Sequence, residues 1–364
     1  MSIFRKRLIK YRRRFFMKKN VRSSNIELLR ILMILSIIGH HFVVNSGVVE
    51  LYDFNNITAN MIFLQIFGMW GKTAINVFTL ITGYFMVNKD LTVKKILHLY
   101  LEMKFYYVLF FVIFLITGYE PFSFKALIKE VLFSTVYEAG ILYGGTVLVM
   151  YLFVPFINIL AKNMSKQQYQ LLLLFLLVYF SVFSTFMRHD TFDFLFWMVT
   201  CYLLGGYIRL YPGKWDKFKI GGAVTIISVA FMIASIIVVD YIGAKFGFTN
   251  YYYMMQDCHK FLAVAASIGI FITFKNLKIP YNKWINTAAA TTFGVLMIHA
   301  NSNSMRKFLW IDLFDTAGHY HSSALWLYAS AVVIVVYVVC VALDCLRITF
   351  IEKPFFEWLD QYLK

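Results

Sequence analysis

Apolar runs of membrane-crossing length recur along the whole chain, separated by short polar stretches. The first, residues 25–45, reads NIELLRILMILSIIGHHFVVN. At 1.5 Å rise per residue, a helix over residues 26–44 spans most of a hydrocarbon core of about 30 Å. Similar runs predict spans at residues 70–87, 96–118, 140–160, 169–187, 192–210, 220–239, 259–274, 284–300 and 323–346. Residues 122–136 are amphipathic instead, with Lys125, Lys129 and Glu130, and read as a short external or interfacial helix. The pattern predicts an all-α, polytopic integral membrane protein of about ten transmembrane helices. It divides the chain into a basic N-terminal segment (1–24), a transmembrane domain (25–346) and a C-terminal tail (347–364).

The first run is unusual in what it carries. At about 100° per residue, Arg30 and His41 fall about 20° apart on one helix face and about 16 Å apart along the axis. Glu27 lies close to that face, and His40 points elsewhere. An arginine in hydrocarbon costs at least about 3 kcal/mol, so an intramembrane ionisable residue marks a functional site by default. The structural alternative is an Arg30 that snorkels or pairs with Glu27 three residues earlier.

Charge placement orients the runs. A net charge of +16 in a soluble protein points to nucleic acid, but ten Lys or Arg fall in the first 22 residues, ahead of the first span. Retention of that end in the cytoplasm accounts for them without nucleic acid. With ten spans, the segments assigned to the inside hold 25 of the 35 basic residues, which predicts cytoplasmic termini at both ends. Composition agrees with the membrane class: 60% of residues are hydrophobic, and 38 phenylalanines stand against 19 acidic residues. Cys201, Cys258, Cys340 and Cys345 have no metal-ligand or secreted-framework spacing, and the His40–His41 pair is not a metal motif. In this topology Arg30 lies toward the cytoplasm, and His41 and His299 approach the outer boundary from different helices.

Five segments then carry a resemblance. The opening NIELLRILMILSIIGHH, with ten residues between Arg30 and His41, resembles the start of the membrane acyltransferase-3 family. INVFTLITGYFM (75–86), YLFVPFINIL (151–160), TTFGVLMIHANSNSMRKFLW (291–310) and IEKPFF (351–356) are similar to later family segments and occur in family order. The likeness covers residues 25–356. At 141–145 this chain has ILYGG where relatives often have tryptophans, and it lacks the hydrolase-like domain attached to some members, which limits it to the membrane module. The resemblance implies transfer of an acyl group, usually acetyl, from cytoplasmic acyl-CoA to a hydroxyl of an extracytoplasmic or lipid-linked glycan. It implies a bacterial plasma-membrane enzyme that modifies envelope polysaccharide, beside glycan-assembly proteins, with acetyl-CoA as co-substrate.

Roles follow from side-chain chemistry. His41 suits the catalytic base, since a neutral imidazole accepts a proton near neutrality; direct transfer and an acyl-histidine intermediate both remain open. Arg30 suits the CoA diphosphate, through charge-assisted contacts from a planar fork of donors. His299 and Asn301 suit orienting the acceptor hydroxyl or stabilising charge on the thioester oxygen. Arg306 suits an anionic glycan or carrier phosphate, and a capped helix end with an interfacial cation is the alternative for all three. Glu27, Asn76, Tyr84 and Thr82 are candidates to line the passage, or to make interhelical hydrogen bonds. Arg209, Lys94 and Lys95 are candidates for CoA docking, or ordinary topology signals. The proposed transfer needs no metal. A glycan or lipid transporter without covalent chemistry, and a noncatalytic scaffold, are the competing classes.

Overall fold

A computed structural model describes residues 23–128, 130, 132, 143–187 and 192–362. Among these the regular structure is helical throughout, with no strand. The basic residues 1–22, most of the expected interfacial helix, the turn at Arg188, His189 and Asp190, and Lys364 lie outside the described residues.

The helices that frame the site are α1 (Ser24–Val44), α2 (Ala59–Gly68), α3 (Gly71–Met86), α4 (Val93–Ile116) and α5 (Tyr143–Asn163). They are followed by α6 (Lys166–Leu177), α7 (Phe194–Leu210), α8 (Phe218–Tyr241), α9 (Phe261–Asn276), α10 (Lys283–Ala290) and α11 (Thr292–His299). Helix α12 (Leu325–Arg347) continues through a π turn, Ile348–Glu352, into α13 (Lys353–Tyr362).

Seven helical stretches among the described residues are long and apolar enough to cross a membrane, counting α2 with α3 (Ala59–Met86) and α6 with its continuation (Lys166–Phe186) as one each, which makes this a multi-pass membrane protein. The expectation of ten such spans is corrected to seven, for a physical reason. Helices α7 and α9 have 17 and 16 residues, about 25 Å each, short of a core of about 30 Å. The expected ninth span is two eight-residue helices meeting at Thr291. There the hydroxyls of Thr291 and Thr292 donate to the carbonyls of Ala288 and Ala289 at 2.8 and 3.0 Å. Such back-bonding competes with the helical ladder and bends it.

Helix α1 is the hub of the bundle, packed against α2, α3, α9, α10, α11 and α12. Its Leu29, Ile34, Ile38, Phe42 and Val43 are buried, as expected of a helix that is apolar on nearly every face. Its first residues are stitched to two neighbours: Asn25 Nδ2 donates to the Phe274 carbonyl that ends α9 (2.8 Å), and Ser24 Oγ accepts from the Asn282 amide that starts α10 (2.8 Å). Helices α3 and α7 touch backbone to backbone: a Cβ on Gly83 would collide with the Tyr202 carbonyl, and one on Gly205 with that of Leu80. Lipid gives no hydrophobic drive for helix association, so close van der Waals approach and interhelical hydrogen bonds hold such a pair.

Candidate active site

His41 lies one turn before the end of α1, and His299 is the last residue of α11. The turn that follows α11 is short because Ser302 caps the next helix, accepting from the Met305 amide at 3.1 Å. This leaves Asn301 in the turn, and the Arg306 guanidinium reaches back to donate to the Ala300 carbonyl at 3.2 Å. The α1 and α11 termini therefore bring His41, His299, Asn301 and Arg306 to one end of the bundle.

With both rings neutral, the hydrogen bonds assign the protons of the histidine pair. His299 Nδ1 lies 2.6 Å from the Val295 carbonyl, which only accepts, so this nitrogen carries the hydrogen. His299 Nε2 is then an acceptor, and it lies 3.1 Å from His41 Nδ1. His41 must donate through Nδ1, which leaves its Nε2 with the free lone pair of a base. Two rings on different helices are thus set by one backbone carbonyl.

A cavity of about 390 Å³ adjoins the pair, and its wall includes His40, His41, Lys72, Tyr143, Asn301 and Arg306. His40 faces away from the Arg30 stripe by helical period, yet its ring lies 5.8 Å from that of His41. Its Nδ1 donates to the Gly68 carbonyl at 2.6 Å, and glycine at 71 leaves room for the ring. Asn301 is buried; its Nδ2 reaches the Tyr106 carbonyl at 3.4 Å, and among the described residues its Oδ1 has no hydrogen-bond partner. Lys72 approaches Asp257 at 3.9 Å. With Arg306 it makes a predominantly cationic wall.

Arg30 is half-buried farther back on α1, within electrostatic range of Tyr143 and Tyr151 of α5. Thr79 and Thr82 of α3 donate their hydroxyls to the Ile75 and Phe78 carbonyls of their own helix at 3.0 and 2.9 Å. Among the described residues Arg30 has no carboxylate partner, and its Nε makes no hydrogen bond. The alternative of an Arg30–Glu27 pair is therefore not what holds this guanidinium. Tyr143 belongs both to the cavity wall and to the surroundings of Arg30, so it joins the two halves of the stripe.

Residues 23–345 match the family model described as an acyltransferase domain, that of the acyltransferase-3 family. The chain belongs to the membrane acyltransferase-3 family. No curated protein and no solved structure matches it.

In this acyltransferase-3 member the other expected site residues divide. Arg209 donates to the Tyr84 hydroxyl at 3.0 Å and lies over its ring, which Lys275 also faces. This cationic group is apart from the cavity. Glu27 is buried near the start of α1. Asn76 does not line the cavity: its Nδ2 donates to the Cys258 carbonyl at 2.6 Å and its Oδ1 accepts from Trp197 Nε1 at 2.9 Å. It is a buried joint between α3 and α7. Lys94 is paired with Asp360 of α13 at 2.7 Å, and Lys95 contacts Met86 Sδ at 3.8 Å, so neither reaches the cavity wall. Sequence reasoning missed Lys72 and Tyr143. Lys72 had a readable signal, a lone cation opening an apolar run next to an otherwise acidic loop.

Proposed function

We propose that the protein is an O-acyltransferase that moves an acyl group, in the first instance acetyl, from acyl-CoA to a hydroxyl of an extracytoplasmic or lipid-linked glycan. In this reading it sits in a bacterial plasma membrane, both termini cytoplasmic, and works beside envelope-glycan assembly proteins. The observation that carries the proposal is the His41–His299 pair, locked in the tautomer that exposes a basic nitrogen at a cation-lined cavity.

The reaction follows from that tautomer. His41 Nε2 takes the proton of the acceptor hydroxyl as its oxygen attacks the thioester carbonyl carbon. The C–S bond breaks, and the departing thiolate receives the proton from the His41 imidazolium. His299 accepts throughout from His41 Nδ1 and so keeps the ring oriented. Lys72 and Arg306 offer positive charge to the oxyanion of the tetrahedral intermediate, where a fixed donor is worth most. Arg30 serves the diphosphate, and Arg209 with Tyr84 and Lys275 serves the nucleotide end. Asn301 Oδ1 accepts a second hydroxyl of the acceptor.

The test reconstitutes the protein in liposomes with labelled acetyl-CoA on the N-terminal side and candidate glycans on the other. Labelled glycan should form with wild type and fall by about 10³-fold with a folded His41→Ala variant. Glycan translocation without covalent product would replace the enzyme with a transporter.

A further inference from the structure

Two turns of α4 away from the cavity, a second polar cluster is buried between α4 and the end of α12. Arg347 gathers three carboxylates: Nε to Asp344 Oδ1 (2.6 Å), Nη1 to Glu352 Oε2 (2.6 Å) and Nη2 to Glu102 Oε1 (2.9 Å). Its fork uses one oxygen of each glutamate and turns the other toward His98. Glu352 Oε1 lies 2.8 Å from His98 Nε2, and Glu102 Oε2 lies 4.0 Å from His98 Nδ1. One donor atom from each of His98, Glu102 and Glu352 lies within 4.8 Å of the others.

Charge makes the arrangement incomplete. One guanidinium makes direct contact with three carboxylates, so the contacts among these four side chains leave negative charge over when His98 is neutral; Lys104, on the same groove wall, donates instead to the Glu130 carbonyl at 3.1 Å. Asp344 is fully buried, and among the described residues its Oδ2 has no hydrogen-bond partner. Unbalanced charge in a low-dielectric interior is costly enough that a counterion or protons must supply the difference.

The geometry points to a divalent transition-metal site at His98, Glu102 and Glu352, with zinc as the best-fitting ion. Ligand atoms around tetrahedral zinc lie about 3.4 Å apart, so Glu352 and His98, now 2.8 Å apart, open slightly while the wider separations, up to 4.8 Å, close by about 1–1.5 Å. One imidazole and two carboxylates form a donor set that zinc accepts and magnesium, which prefers oxygen and water, does not. Arg347 holds both carboxylates from behind, as outer-shell donors do in metal sites. The three ligands share the wall of a largely apolar groove of about 570 Å³, so the fourth position is not filled by a protein side chain among the described residues. Bound there, the ion ties the start of α4 to the π turn after α12. Tyr106 connects this clamp to the cavity: its hydroxyl donates to Asp344 at 2.6 Å and its carbonyl receives Asn301.

The test uses the full chain, free of any histidine tag, stripped with chelator in lipid nanodiscs and titrated with zinc chloride or magnesium chloride. One zinc per chain should bind with a dissociation constant near or below about 10 µM and raise the melting temperature, with magnesium at least about 100-fold weaker. His98→Ala should weaken zinc at least about tenfold and abolish the thermal gain. Because His98 is about 42% exposed, its metal-free variant should melt like wild type, and His98→Gln repeats the test if alanine does not fold. Absence of zinc binding would overturn the proposal and leave protons to balance the cluster. Binding unchanged in His98→Ala, or lost in His41→Ala, would place the ion elsewhere and equally overturn it.

Discussion

Two arginines in this protein sit in the interior under opposite conditions. Arg347 spends its donors on Asp344, Glu102 and Glu352, all from the protein itself. Arg30 lies within electrostatic range of Tyr143 and Tyr151, and among the described residues no carboxylate answers it. A buried arginine that is fully partnered belongs to the architecture, because removing it strands the groups it neutralised. One without an anion strands no such group when it is removed, which is why the proposed function gives Arg30 to an anion that arrives. The two residues should therefore fail differently: one in folding, the other in binding.

Substituting Arg347 gives the largest expected effect. Arg347→Ala leaves three buried carboxylates facing one another and should destabilise the protein by about 3–5 kcal/mol. Loss of folded protein after detergent extraction would register this directly. Replacing the charges together, as Arg347→Met with Glu102→Gln, Asp344→Asn and Glu352→Gln, should recover much of the stability, because the penalty lies in the stranded charges. A singly substituted Arg347→Ala that melts like wild type would erase the contrast.

Arg30→Ala should leave the melting temperature close to wild type and instead weaken the donor. Loss of a charge-assisted contact worth about 1.5–3 kcal/mol corresponds to a rise in acyl-CoA KM of about 10- to 150-fold. Arg30→Lys should restore part of it, since an ammonium keeps the charge but not the bidentate fork. Unfolding of Arg30→Ala, with donor affinity intact in the fraction that remains, would make Arg30 a second Arg347.

His299→Gln comes next. The glutamine can still accept through its oxygen, but the ring fixed by Val295 is gone, so His41 loses its single orientation. A fall in kcat of about 10- to 100-fold is expected, with acyl-CoA KM nearly unchanged. An unchanged kcat would show that His41 keeps its tautomer without its neighbour.

The all-α membrane class was legible because it depends only on the apolar runs, and the Arg30–His41 stripe could be proposed from helical period within one of them. The partner of His41 was legible as a residue but not as a proton arrangement, since the Val295 carbonyl that sets it exists only once α11 has formed. Asn76 shows the limit from the other side. A polar residue in an apolar helix reads alike as passage lining or as a joint, and only Trp197, 121 residues away, decides. The span count failed because hydropathy registers how apolar residues 284–300 are and not that Thr291 interrupts the helix.

The smallest effect concerns Lys94, whose basic position also suits a docking role for CoA. The structure gives it to Asp360 at 2.7 Å, with the two side chains 45% and 51% exposed, and its ammonium lies over Phe356. An exposed pair of this kind contributes about 0–1 kcal/mol, screened by salt. Lys94→Gln should therefore shift the melting temperature slightly, less so as salt is raised, and leave acyl-CoA KM within about twofold of wild type. A tenfold rise in KM at unchanged stability would mean that Lys94 leaves Asp360 when the donor arrives. The division between partnered and waiting cations would then depend on ligand state, and Arg347 would be the next residue to examine with donor bound.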